Sequence, residues 1–148
     1  MTTLYTQITV NAPVEKIWEA LSVIDNLDKF DPTVKKSTAI TDNKSGIHAK
    51  RKVDMLDGKN WFEEKVIEFR PNEALAYQLT NCSFPINGLT HSYTFEKTGA
   101  QVTVKQVMQY TVKFGIIGRL LDSLLIRKQT KAGIHKFFTG LKEYAEKN

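Results

Sequence analysis

Residues 116–147 read IIGRLLDSLLIRKQTKAGIHKFFTGLKEYAEK. Helical spacing runs through the whole stretch and no proline interrupts it, so it predicts one long helix. At 1.5 Å per residue such a helix is about 45–50 Å long, well above the mean for globular proteins. Ile116, Leu120, Leu124, Ile134, Phe138, Leu141 and Ala145 form its apolar stripe. Midway, that stripe passes through Ser123, Arg127 and Thr130, which directs polar groups inward there. Gly133 marks an expected bend, because a helical glycine costs about 1 kcal/mol relative to alanine.

The segment before the helix supplies a surface for it to lie on. Between residues 36 and 112, turn residues recur at Asn43–Gly46, Asp57-Gly58, Arg70-Pro71-Asn72, Asn87-Gly88 and Thr98-Gly99. They delimit six strands near 36–41, 47–55, 60–69, 74–82, 89–96 and 101–112. Asp-Gly and Asn-Gly supply the positive φ of tight hairpins, so successive strands are expected to pair antiparallel. Upstream, Leu4, Thr6, Ile8 and Val10 alternate as a first strand. Asn11-Ala12-Pro13 then starts a helix whose stripe is Val14, Ile17, Trp18 and Leu21. A second short helix or turn through Asp25–Lys29 ends before Pro32. The order is β-α-α-β6-α. It predicts an α+β fold: a curved seven-stranded antiparallel sheet around a long C-terminal helix, as one domain over residues 1–148.

Composition removes several functional classes. Cys82 is the only cysteine, so no disulfide framework or cysteine zinc motif can form within the chain. His48, His91 and His135 have no ligand spacing, and no metal or other cofactor is expected. The net charge of +5 comes from dispersed Lys and Arg with no block of five, which argues against nucleic acid. No basic region precedes an apolar stretch at the start, and no apolar run is long enough to span a membrane. The expectation is a soluble cytoplasmic protein.

Several local patterns resemble one family. They are Ile8-Thr-Val-Asn-Ala-Pro-Val-Glu-Lys-Ile-Trp18 with Leu21, Phe30-Asp-Pro32, Val66-Ile-Glu-Phe-Arg-Pro71 turning into Ala74-Leu-Ala-Tyr77, Gly115-Ile-Ile-Gly-Arg-Leu-Leu-Asp122, and Gly140-Leu-Lys-Glu-Tyr144. Together they resemble the START-like superfamily, also called SRPBCC, in its polyketide cyclase/dehydrase and lipid transport branch. Where that family typically carries a tryptophan before the Asp-Pro, this chain has Phe30. The resemblance implies a helix-grip fold like that of the birch pollen allergen, with a hydrophobic tunnel between sheet and helix. It implies ligands such as lipids, polyketides or isoprenoids. These are packing and turn motifs, so they speak for fold and not for activity.

Strand alternation selects the residues that face this tunnel. The register with most apolar groups inside takes Ile47, Ala49, Val53 and Met55, then Leu75, Tyr77 and Leu79, then Leu89, Tyr93 and Phe95, then Val104, Met108 and Tyr110. Arg51, His91 and Gln106 travel inward with them. On the 60–69 strand both faces hold apolar groups, which leaves open whether Glu63 or Glu64 points in. The expected ligand-binding set is Phe30, Arg51, Trp61, Tyr77, His91, Tyr93, Gln106, Met108, Tyr110, Arg127 and Thr130. His91 is the one candidate general acid or base. Against these roles stand plainer ones: rim arginines with solvated charges, and a histidine hydrogen-bonded within the sheet.

The start of the long helix is apolar around much of its circumference: Ile116, Ile117, Leu120, Leu121, Leu124, Leu125 and Ile126. The Trp18 helix, a second subunit or a membrane surface near Arg119, Arg127 and Lys128 could cover it. Three functions therefore compete. The first is binding of a small hydrophobic ligand; the second is a cyclase or dehydratase using His91 on a polyketide-like ketone; the third is a protein-interaction module acting through the leucine-rich helix start.

Overall fold

The strand pattern closes as expected wherever glycine or asparagine supplies a left-handed turn. In the computed structural model, which describes residues 1–147, Gly46, Gly58, Asn72 and Gly99 all have positive φ between strands. The strands are β1 (Thr2–Val10), β2 (Val34–Ala39), β3 (Lys50–Met55), β4 (Trp61–Arg70), β5 (Ala74–Cys82), β6 (Ile86–Thr98) and β7 (Gln101–Val112). All pair antiparallel in the order β1-β7-β6-β5-β4-β3-β2, one curved seven-stranded sheet. One expected turn is absent. Asn87-Gly88 lies inside β6, where the register slips between Ile86 and Gly88, and the chain instead turns through Ser83–Pro85. An Asn-Gly pair serves a bulge as readily as a hairpin.

Helix α1 (Val14–Ser22) buries Val14, Ile17, Trp18 and Leu21, the stripe read from the sequence. Trp18 meets Phe69 and Phe95 edge-on, at 5.1 and 5.9 Å between ring centres. The expected second helix is a single 3-10 turn, Leu27–Lys29. Strand β3 starts later than expected, which leaves Ile47 exposed in the loop before it.

The long C-terminal helix is continuous but not uniform. It runs as α2 (Gly115–Leu121), a π-helical turn at Asp122–Ile126, and α3 (Arg127–Lys147). The π turn overturns the expected stripe. Ile134, Phe138, Leu141 and Ala145 are buried, but Ile116, Leu120 and Leu124 stand in solvent, Ile116 at 82% of its surface. The inward row is Gly118, Asp122, Ile126, Thr130 and Ile134, spaced by four. A step of four overshoots a 3.6-residue turn, and the wider π turn absorbs the excess. Ser123 and Arg127 consequently face outward, and the polar residues turned inward are Asp122 and Thr130. Asp122 is anchored there by the hydroxyls of Tyr110 (2.5 Å) and Thr2 (2.6 Å). These bonds and the Arg127 guanidinium at 3.3 Å outweigh burial and hold its carboxyl below the usual range.

Two glycines let the long helix approach backbone directly. A Cβ on Gly118 would sit 1.7 Å from the Lys113 carbonyl oxygen, and one on Gly140 would sit 2.0 Å from that of Phe30. Backbone cannot retreat as a side chain can, so Gly140→Ala is expected to cost roughly 1–3 kcal/mol. Urea denaturation measures it, and an unchanged midpoint refutes the contact.

Candidate functional site

The aromatic and aliphatic core fills the space under α1 and the C-terminal half of α3, but not the whole concave face. Beneath the π turn and the first turns of α3 lies a pocket of about 510 Å³. Phe62, Leu79, Leu89 and Met108 line it from the sheet. Leu121, Leu125, Ile126, Gln129, Thr130, Gly133, Ile134 and Phe137 line it from the helix. Phe84 and Pro85 of the turn before β6 and Ile86 at its start, together with Leu27, Asp31 and Thr33, also border it. This is the size and mostly apolar character of a small-molecule site. A second hollow of about 560 Å³ lies along edge strand β1 and α3, among Thr3, Tyr5, Gln7, Lys131 and His135. Buried Leu4 and Phe138 lie at its base among exposed and half-buried side chains, and none of its polar lining residues is buried.

Five polar side chains meet in one wall of the internal pocket: Arg51, Glu64, His91, Tyr93 and Gln106. Their positions follow from register. Arg51 pairs with Glu64 across β3 and β4, while Tyr77 faces His91 and Tyr93 faces Gln106 across the neighbouring ladders. Side chains opposite one another on adjacent strands share a face, so one cluster draws on five strands. Glu64 Oε2 accepts from Arg51 Nε at 2.8 Å and pairs with Nη2 at 2.6 Å. Glu64 Oε1 lies 2.7 Å from His91 Nε2, and His91 Nδ1 lies 2.8 Å from the Tyr93 hydroxyl. Gln106 Nε2 donates to that hydroxyl at 3.0 Å. Arg51 also donates to the Ile24 carbonyl and lies 4.3 Å over the Tyr77 ring.

Burial alone pushes the Glu64 carboxyl up, but Arg51 and His91 together outweigh it and bring it down to about 2. Glu64 is therefore ionised at neutral pH. Burial raises the Tyr77 phenol to about 12 and the Tyr93 phenol further, so both keep their protons. Desolvation also raises the Asp31 carboxyl, against two bonds from Thr33. Among the described residues, no group of three or more His, Cys, Asp or Glu side chains could hold a metal ion.

Of the sequence-derived set, Arg51, His91, Tyr93, Gln106, Met108 and Thr130 come together around the pocket. The others do not line it. Tyr77 lies behind the wall, stacked on His91, with its hydroxyl donating to the Leu21 carbonyl at 2.6 Å. Tyr110 is spent on Asp122, and Arg127 is a half-exposed partner of the same carboxylate. Phe30 packs against Phe137 and Tyr144 rather than on the pocket. Trp61 alternates to the outer face, where the Lys52 ammonium sits 5.3 Å from its ring. For the arginines the rim role thus suits Arg127 and fails for Arg51, which is 4% exposed. Sequence reasoning left Glu64 undecided and missed the Leu27–Thr33 and Phe84–Ile86 walls, which are loops without periodicity.

At the pocket's helix side, Leu121 and Leu125 line the cavity yet also reach solvent. Beside them Phe114, Ile116, Ile117, Leu120 and Leu124 are exposed, so α1 does not cover this patch. No helix among the described residues is long and apolar enough to cross a membrane.

The family model described as polyketide cyclase / dehydrase and lipid transport matches residues 1–146. The chain belongs to this family. Solved structures share the architecture. Ara h 8.0201 superposes with a TM-score of 0.81 at 17% identity, covering 99% of each chain. TTHA0849 from Thermus thermophilus gives 0.81 at 16%, covering 97% of each. A START superfamily protein from Mycobacterium smegmatis gives 0.75 at 14%, covering 95% of this chain and 97% of that one. At such identities the likeness establishes the helix-grip fold and nothing about ligand. No curated protein matches significantly. Membership of the polyketide cyclase/dehydrase and lipid transport family fits a protein that binds hydrophobic molecules.

Proposed function

We propose that this protein binds a small hydrophobic molecule in the pocket between sheet and long helix. The observation that carries the reading is the pocket itself: about 510 Å³ of mostly apolar space with a hydrogen-bonded polar cluster in one wall. Binding is favoured over catalysis by the state of His91. Nε2 faces Glu64 and Nδ1 faces Tyr93, so the cyclase reading lacks a base with a nitrogen free for substrate. Native mass spectrometry of protein purified from its host is expected to show a non-covalent apolar adduct that denaturation releases. Adduct-free protein that also fails to bind added apolar dyes refutes the reading.

The same reading gives the exposed helix start a role. Ile116, Ile117, Leu120 and Leu124 are exposed on the same helical segment as the pocket-lining Leu121 and Leu125, with Arg119, Arg127 and Lys128 interspersed in sequence. Apolar anchors beside basic groups are how interfacial helices meet anionic bilayers, and contact there lets an insoluble ligand pass without crossing water. Flotation with phosphatidylserine-containing vesicles is expected to carry the protein up, and Leu124→Glu to abolish this. A concentration-dependent dimer with no flotation assigns the patch to a second copy instead.

A further inference from the structure

The polar wall also specifies what kind of polar group the ligand presents, given that the pocket is a ligand site. The accounting starts from Glu64, which is ionised and can only accept. Its Oε1 faces His91 Nε2, so that nitrogen carries a hydrogen. The other ring nitrogen, His91 Nδ1, lies 2.8 Å from the Tyr93 hydroxyl, so both nitrogens are engaged within the wall. The Tyr93 oxygen accepts in turn from Gln106 Nε2. One atom is left over. Gln106 Oε1 is the single buried side-chain nitrogen or oxygen among the described residues without a hydrogen-bond partner. Its residue lines the pocket and is 3% exposed. A buried acceptor without a donor costs about 1–3 kcal/mol, which a donor on the ligand would recover.

Charge points the same way. Arg51, the one cation in the wall, is neutralised by Glu64, bonded to the Ile24 carbonyl and laid over Tyr77. With its charge already compensated, it offers a ligand carboxylate little net attraction. An anion entering the pocket would share it with two acids, Glu64 and Asp31. We propose that the ligand is a neutral amphiphile whose polar end is a hydrogen-bond donor, a hydroxyl or N–H, received by Gln106 Oε1. Its apolar body lies along Phe62, Leu79, Leu89, Met108 and Ile134. Fatty acids and other carboxylates are selected against.

Displacement of the neutral dye Nile red by three compounds with the same chain tests this: dodecanol, dodecyl methyl ether and dodecanoate. The alcohol can donate, the ether can only accept, and the acid is charged at mildly alkaline pH. In the wild-type protein dodecanol is expected to bind about tenfold tighter than the ether, with dodecanoate weakest. Gln106→Leu is expected to bring the alcohol down to the ether's affinity, so that the ratio between the two falls from about tenfold to about one. The wild-type ranking needs no variant, so a Gln106→Leu protein that fails to fold does not rescue the idea. Nile red binding that is indifferent to the headgroup, or tightest displacement by dodecanoate, overturns the donor inference and leaves the binding reading standing. A protein that takes up neither Nile red nor any dodecyl compound overturns both.

Discussion

Arg51→Met is expected to lower the unfolding free energy by about 3–5 kcal/mol, and adding Glu64→Leu to it is expected to restore most of that loss. Arg51 and Glu64 are almost fully enclosed, so removing the guanidinium strands an ionised carboxylate with only His91 beside it. Removing both charges leaves nothing to solvate. Urea denaturation of the two variants measures the difference, and an Arg51→Met protein as stable as wild type means that water reaches the pair. Acid supplies an independent check. The folded-state carboxyl of Glu64 is held at about 2, below its ordinary value of 4.5. The stabilisation this represents is complete above the ordinary value and is lost as pH falls through the window down to about 2. It is on the order of 3 kcal/mol. The double variant is expected to lose less stability than wild type across that window. Asp31, raised by burial, runs the other way and offsets part of the loss on acidification.

The pair also marks how far the sequence could be read. Turn residues and alternation were enough for the sheet, because each hairpin glycine sits where a left-handed φ is needed. Alternation likewise sent Arg51, His91 and Gln106 inward with Val53, Tyr93 and Val104. Glu64 could not be separated from Glu63 because β4 carries an extra residue, Ile67, between Val66 and Glu68, so that Phe62 and Val66 before it and Phe69 after it all turn to the core. A bulge exchanges the faces of a strand without leaving a trace in hydropathy. Trp61 was misplaced for the same reason. The long helix failed at a different point. Its apolar stripe was extrapolated through Asp122–Ile126 at 3.6 residues per turn, and a π turn there rotates everything upstream. Hence Ile116, Leu120 and Leu124 were read into one stripe with the buried Ile134 and Phe138, although all three are exposed. π turns of this kind concentrate at functional sites, and this one forms the pocket's roof.

Gly133→Leu is expected to make the protein more stable and bind its ligand at least about tenfold more weakly. Beyond Gly115 at its first position, the long helix contains three glycines whose surroundings separate their roles. Gly118 and Gly140 are pressed against carbonyl oxygens, so their lack of a side chain is a packing requirement. Around Gly133 a Cβ would meet nothing within 4 Å, although the residue is in the interior of α3 and lines the pocket. Glycine there costs close to 1 kcal/mol of helix stability relative to alanine, and no tight approach of a neighbouring segment offsets that cost. Gly133→Ala should therefore raise the melting temperature by about 2–4 °C. Leucine keeps most of that gain and adds a branched side chain directed into the space that the ligand's apolar body needs. Stability and affinity then move in opposite directions, which a mere packing defect would not produce, since filling a defect improves one and leaves no other to lose. Calorimetric melting together with Nile red titration of wild type, Gly133→Ala and Gly133→Leu measures both. Raised melting with unchanged dye affinity in Gly133→Leu would mean that hydrophobic molecules bind somewhere other than beneath the helix.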